Sequence, residues 1–270
     1  MSSAPATPGN PLVLESYDAG VATLALNRPE KLNALNKDLP TALHDALTRA
    51  EANRDVLVVV VTGAGRAFCA GGDLAAIGKG HEANDITELE PVLRSGMQAV
   101  LKMRTMHQPV IAAINGPAAG AGMNIALAAD IRVASDAATF GQNFSKVGLF
   151  PDYGGTYFLP ELVGPSRAAE MFYTGEMIDA QTALQFGIVN RVVPAAQLEV
   201  EVSALAHKIA QGPQIAIRSV KRALFGGAKA KLVKALEHEV QEQMKCFASK
   251  DCGEGIRAFM EKRKPKFQGK

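Results

Sequence analysis

Apolar and polar positions alternate along this chain in blocks short enough to assign to elements. Leu12 to Glu15 and Val21 to Leu26 flank Asp18-Ala19-Gly20, which predicts a hairpin. Leu39, Leu43 and Leu47 recur four apart, the spacing of one helix face, and predict a helix over Asn36 to Ala52. Val56 to Thr62 is an unbroken run, Val-Leu-Val-Val-Val-Val-Thr, and predicts a strand buried on both faces of a parallel or mixed sheet. Ile77 to Leu89 is mostly polar, with Gly80, His81, Glu82 and Asn84, and reads as a mobile segment. Beyond it the pattern predicts a helix over Val92 to His107, a strand over Pro109 to Ile114, a small-residue helix over Gly120 to Ala129 and a strand over Ile131 to Ala134.

Strand and helix alternate up to about residue 190, the signature of an α/β fold. From Ala195 onward the pattern is helical throughout, and no internal repeat is present. The expected organisation is a flexible tail over residues 1–10, an α/β core over 11–194 and a helical C-terminal part over 195–270.

Composition narrows the function classes. With 47% hydrophobic and 21% charged residues, the chain has the make-up of a globular protein with a sizeable core. A net charge of +2 argues against a broad nucleic-acid footprint. The three cysteines, Cys69, Cys246 and Cys252, contain no Cys-x-x-Cys pair and are odd in number, so a secreted disulfide framework is not expected. The first eleven residues have neither a basic leader nor an apolar core of signal-peptide length, which leaves a cytoplasmic location as the expectation. Residues 109–134 are nearly free of charge, yet Asn115, Pro117, Asn124 and Asp130 interrupt them, and a membrane span would leave those groups unsatisfied.

Three glycine-rich segments sit where strands give way to helices. They are Thr62 to Leu74, Asn115 to Asn124 and Gly148 to Thr156. Small residues let a ligand approach the backbone, and free N–H groups at a helix start attract an anion. Two such loops from neighbouring strands would form an oxyanion hole; close helix-sheet packing would require the same small residues. The five histidines show no metal-ligand spacing, and no metal site is expected. Cys69 has no basic partner nearby and reads as a small packing residue, and Ser145 lacks a nucleophile elbow.

The order Asn27-Arg28-Pro29-Glu30-Lys31-Leu32-Asn33-Ala34-Leu35, then Phe68-Cys69-Ala70-Gly71-Gly72-Asp73, then Asn115-Gly116-Pro117-Ala118-Ala119-Gly120-Ala121-Gly122 resembles the crotonase (enoyl-CoA hydratase/isomerase) superfamily. The likeness runs through Gly148 to Thr156 and ends in Glu254 to Arg263, covering nearly the whole chain. It implies a spiral of ββα units with a helical C-terminal part, assembled as trimers or dimers of trimers. It also implies backbone N–H groups of Ala70 and Ala121 as the thioester-oxygen donors, with Asp73 organising the first loop. Lys31, Ala34, Leu35, Gly71 and Leu74, with Phe259 and Lys262 near the C-terminus, match positions that contact the CoA ester. The implied substrate is an acyl-CoA thioester, with no separate cofactor. Lys262, Arg263, Lys264 and Lys266 would equally suit a solvated helix tail.

The sequence departs from the hydratases of that family. The two positions matching their glutamates hold Asn124 and Phe144, neither of which titrates as an acid near neutral pH. One acid remains, Asp152, at a position matching the acid of family isomerases. The stretch Phe144 to Asp152 looks closest to the ring-epoxide isomerases of phenylacetyl-CoA breakdown. An Asp starts near a pKa of about 3.9 and becomes a better base when desolvated. Met123, Phe144, Phe150 and Tyr153, with Asn124, are the expected pocket lining. Asp152 would alternatively cap a helix beginning near Tyr153 or Gly154. The leading expectation is an acyl-CoA isomerase with Asp152 as its acid/base. The alternatives are a hydratase, an aryl-CoA hydrolase or dehalogenase using Asp152 as nucleophile, and a non-catalytic acyl-CoA-binding protein.

Overall fold

The computed structural model describes residues 11–83 and 85–270, so the tail expected at 1–10 lies outside the described residues. The hairpin forms as expected from β1 (Val13–Asp18) and β2 (Val21–Leu26). Its two-residue turn places both Ala19 (φ 41°) and Gly20 (φ 86°) in the left-handed region, which matches the twist of the flanking strands. Helix α1 (Leu39–Ala52) starts three residues later than expected, because Asn36 Oδ1 accepts the Leu39 N–H before the first turn.

Strands β3 (Val58–Gly63), β4 (Val110–Ile114), β6 (Ile131–Ser135) and β9 (Arg191–Val193) continue the sheet in the order β1-β2-β3-β4-β6-β9, all parallel beyond β2. A second sheet joins β5 (Ala118–Ala119), β7 (Thr139–Gly141) and β8 (Met177–Asp179). Successive residues of a strand face opposite sides, so the valine run of β3 feeds two cores at once. Val59 and Val61 join the larger core with Leu39, Leu43 and Leu47 of α1 and Val100 and Met103 of α3 (Leu89–Thr105). Val58 and Val60 face the smaller core, closed by Leu198, Val202, Ala206 and Ala210 of α8 (Leu198–Ala210).

The segment 77–89, expected to be mobile, instead contains most of α2 (Leu74–Glu82) and the start of α3. Asp73 caps α2 by accepting the Ala76 N–H. The helix is then fastened from far along the chain: His81 Nε2 lies 3.0 Å from the Ser249 carbonyl, and the absent side chain of Gly253 leaves room for the imidazole. The Ser249 carbonyl is 168 residues away, so local polarity gives no sign of it.

The middle of the chain adds α4 (Ala121–Ala128), α5 (Gly155–Val163), α6 (Pro165–Thr174) and α7 (Ala180–Gln185). The last part is helical: α8, α9 (Gln214–Phe225), α10 (Lys229–Phe247) and α11 (Lys250–Met260). Lys221 of α9 is buried and donates to the carbonyls of Met103 and Gln108 while pairing with Asp130 at 2.8 Å. Among the described residues no helix is long and apolar enough to cross a membrane.

Candidate active site

Two loops, 64–73 after β3 and 115–120 after β4, meet at the carboxyl ends of their strands. Side-chain amides shape them. Asn33 Nδ2 donates to the carbonyls of Ala64 and Ala67, and Asn115 Nδ2 to those of Gly63 and Gly65. Backbone bonds then tie the loops together, Cys69 N–H to Pro117 O and Ala119 N–H to Cys69 O. Their approach leaves no space for a side chain at Gly71 (φ 91°), where a Cβ would lie 2.8 Å from the Ala119 carbonyl oxygen.

This geometry corrects one expected donor. The Ala70 N–H is already spent on the Leu32 carbonyl at 3.0 Å, and so cannot receive an incoming oxygen. The neighbouring Asp73 N–H is spent on Leu35 O, whereas the Gly72 N–H has no partner among the described residues. Ala121 stands opposite it at the end of the second loop. It is the first residue of α4, its N–H has no acceptor among the described residues, and Gly120 before it adopts φ 52° and ψ −127°, a conformation suited to glycine.

Two cavities meet at these groups. The smaller, about 140 Å³, is lined by Ala70, Gly71, Leu74, Phe144, Gln243 and Phe259 among others. The larger, about 570 Å³, is lined by Leu35, Asp73, Ala76, Leu89, Val92, Leu93 and Tyr153 among others. Both share Gly72, Ile77, Ala121, Asp152 and Phe247. The two free N–H groups and the one acid therefore stand on a common wall.

Asp152 is 7% exposed, and its loop is held from three sides. Asn124 Nδ2 donates to the Asp152 carbonyl at 2.7 Å, while Asn124 Oδ1 accepts from Gln142 at 2.6 Å. Gln243 Nε2 donates to Asp152 Oδ2 at 3.1 Å, and Gln243 Oε1 accepts the Phe150 N–H at 2.9 Å. Asp152 Oδ1 has no hydrogen-bond partner among the described residues. Burial pushes the carboxyl pKa up from 3.8 to about 8; the Gln243 bond opposes the rise and the negative field of Glu239 adds to it.

The side chain of Asp152 does not cap α5. That helix starts behind Gly154 (φ 84°), and its free N–H groups are taken by Glu239 of α10, which accepts from Gly154 N at 2.7 Å and Thr156 N at 2.9 Å. Tyr153, between the acid and the helix, adopts φ 54°, unusual for a bulky residue and of the kind found where surrounding structure enforces it. Its ring lies where a Cβ on Gly96 of α3 would stand, 1.8 Å from the ring Cζ.

The remaining expected residues divide. Asp73 pairs with Arg28 at 3.2 Å and caps α2. Lys31, Ala34 and Lys262 line neither cavity. Met123, expected in the pocket, is fully buried in the larger core because α4 is packed on every side. Phe150 also lines neither cavity; its ring meets His238 edge-on, 6.2 Å between centroids. Asn124 is buried behind the loop rather than in the cavity wall. Sequence reasoning missed Gly72, Phe247, Gln243 and Glu239. The last three lie on α10, where Glu239 and Gln243 interrupt the buried stripe of Leu232, Leu236 and Val240. Polar residues inside an apolar helix stripe are the signal by which Glu239 and Gln243 could have been found. Among the described residues, no group of three or more His, Cys, Asp or Glu is placed to hold a metal ion.

Comparison with known proteins follows the same lines. Residues 16–270 match the family described as enoyl-CoA hydratase/isomerase. A probable enoyl-CoA hydratase of Rhodobacter capsulatus is 41% identical over 252 residues, 93% of this chain and 95% of that protein. The 1,2-epoxyphenylacetyl-CoA isomerase of Escherichia coli K12 is 36% identical over 264 residues, 96% of this chain and 98% of that protein. The crystal structure of an enoyl-CoA hydratase from Mycobacterium avium subsp. paratuberculosis superposes with a TM-score of 0.86 at 32% identity, covering 95% of this chain and 98% of that one.

Proposed function

The chain belongs to the enoyl-CoA hydratase/isomerase family, and from the one acid on the wall shared by the two cavities we propose that it is an acyl-CoA isomerase. It shifts a carbon-carbon double bond, or rearranges a ring epoxide, through a thioester enolate. The observation that carries this reading is Asp152: buried, with Oδ1 unpaired, on the wall that also holds the free N–H groups of Gly72 and Ala121.

In the double-bond shift, Asp152 Oδ1 takes the proton from C2 of a 3-enoyl thioester. The electron pair moves onto the thioester oxygen, where the Gly72 and Ala121 N–H groups bind the developing charge; one such donor is worth about 3 kcal/mol in the transition state. The same carboxyl then returns its proton to C4, and the base is regenerated. A carboxyl raised to about 8 is far better matched to proton abstraction than one near 4. CoA is part of the substrate, and the cycle consumes no cofactor. Leu35, Asp73 and Phe259 serve the CoA ester at the cavities, with Lys31, Ala34 and Lys262 at the periphery. Assembly as a homotrimer or a dimer of trimers is part of the same reading and is tested by sedimentation.

Hydration needs an acid to orient and activate water. Asn124 has its amide committed on both sides, to Asp152 O and to Gln142, and Phe144 offers only an apolar ring to the smaller cavity. The test is a pair of assays on the pure protein, one following conjugation of a 3-enoyl-CoA and one following hydration of crotonyl-CoA. Isomerisation without appreciable hydration is expected. Fast hydration would overturn the single-acid reading.

A further inference from the structure

We propose that Gln243 is a positioning residue that selects Oδ1 of Asp152 as the proton-transferring atom. This rests on the acyl-CoA isomerase reading, in which Asp152 is the base. Gln243 is 1% exposed and projects from α10, one turn beyond Glu239. Its amide is oriented by its other bond: with Oε1 accepting the Phe150 N–H, Nε2 must face Asp152 Oδ2. The carboxylate is thereby held on one edge. Oδ2 is occupied, Oδ1 is left without a partner, and rotation about the carboxyl bond that would exchange them breaks a buried hydrogen bond.

The same side chain also fixes the backbone two residues before the acid, so a single amide sets both the loop and the edge of the carboxylate it presents. The other ionisable groups around Asp152 are Glu239 on α10, Tyr153 beside it, Lys37, Asp73 and Glu88 on the larger cavity and Lys146 on the smaller. Among these, Glu239 stabilises the protonated acid, while Gln243 favours the ionised base.

The two helix residues should therefore act in opposite directions. The experiment measures the pH profile of kcat for 3-enoyl-CoA isomerisation, together with the Asp152 titration by carbon-13 NMR of carboxyl-labelled aspartate, assigned by the signal lost in Asp152→Asn. Gln243→Met should move both the rising limb and the titration up by about one pH unit, lowering kcat about tenfold at pH 7 with KM within about twofold. Glu239→Gln should move both downward. Shifts in the same direction in the two variants would mean general loosening of the loop and would overturn the assignment, as would a slower Gln243→Met enzyme with an unmoved titration. If Gln243→Met does not fold, Gln243→Glu keeps the acceptor for Phe150 and should still raise the Asp152 titration; no change there overturns the proposal. Wild-type turnover by Asp152→Asn would instead strike down the isomerase base itself, a separate failure.

Discussion

Replacing Asp152 with Asn should make the protein inactive and, above neutral pH, more stable. The carboxyl has a pKa near 3.8 in an unfolded chain and about 8 in the folded protein. Between those values the folded state holds a proton that the unfolded state has released, so its contribution is fully present below pH 4 and is lost as pH rises through 8. A difference of about four pH units corresponds to about 5 kcal/mol once both states are ionised. Asparagine carries no such dependence. It keeps an acceptor for Gln243 and leaves the amide NH2, with its two donors, unpaired in place of Oδ1, costing about 1–3 kcal/mol at every pH. The two effects nearly cancel at pH 5.5 and leave Asp152→Asn about 3 kcal/mol more stable at pH 8.5. For a chain of this size that is about 6–10 °C in Tm. Thermal melts of both proteins at the two pH values, at one protein concentration, measure it. An equal difference at pH 5.5 and 8.5 would refute the claim that the folded protein protects a proton on Asp152.

Other perturbations probe the supports of the site. Glu239, raised by burial from 4.5 to about 7, contributes stability that is present below pH 4.5 and lost as pH rises through 7; Glu239→Gln should flatten that part of a stability-pH curve measured by urea unfolding. Gly96→Ala places a methyl group in the Tyr153 ring and should cost about 2 kcal/mol in chemical denaturation while lowering kcat more than it raises KM. Lys221→Ala removes the buried ammonium that pairs with Asp130 and donates to two buried carbonyls and should cost about 3 kcal/mol, with steady-state activity of the remaining folded protein unchanged.

Much of the scaffold is legible because its cause is local. The β3 valines need apolar partners on both faces, and any sheet able to supply them must be covered twice. The Asp18-Ala19-Gly20 turn announces itself through Gly20, which suits the left-handed backbone there. The site is less legible. The loop 68–73 is recognisable from composition, but nothing in its sequence says that the Ala70 N–H is spent on Leu32 while that of Gly72 is free. Asp152 is visible as the surviving acid. Its failure to cap α5 follows from Glu239, whose carboxylate arrives from 83 residues away to take the Thr156 N–H. Met123, beside Asn124, and Phe150, two residues before the acid, are apolar, yet helix phase and loop direction turn them to the core and to His238. Residues 77–89 look unstructured for the same reason, since the partners of α2 lie on α11.

The bond between Gln243 and Asp152 spans 91 residues, which sets an order of events during biosynthesis. Strands β1 to β4, both glycine loops and the acid itself leave the ribosome well before α10. A nascent chain can assemble its sheet and present its carboxylate while the residue that fixes that carboxylate has yet to be made. Competence for chemistry is therefore acquired last, and a chain interrupted before α10 would carry the acid with neither its orienting amide nor the carboxylate that starts α5.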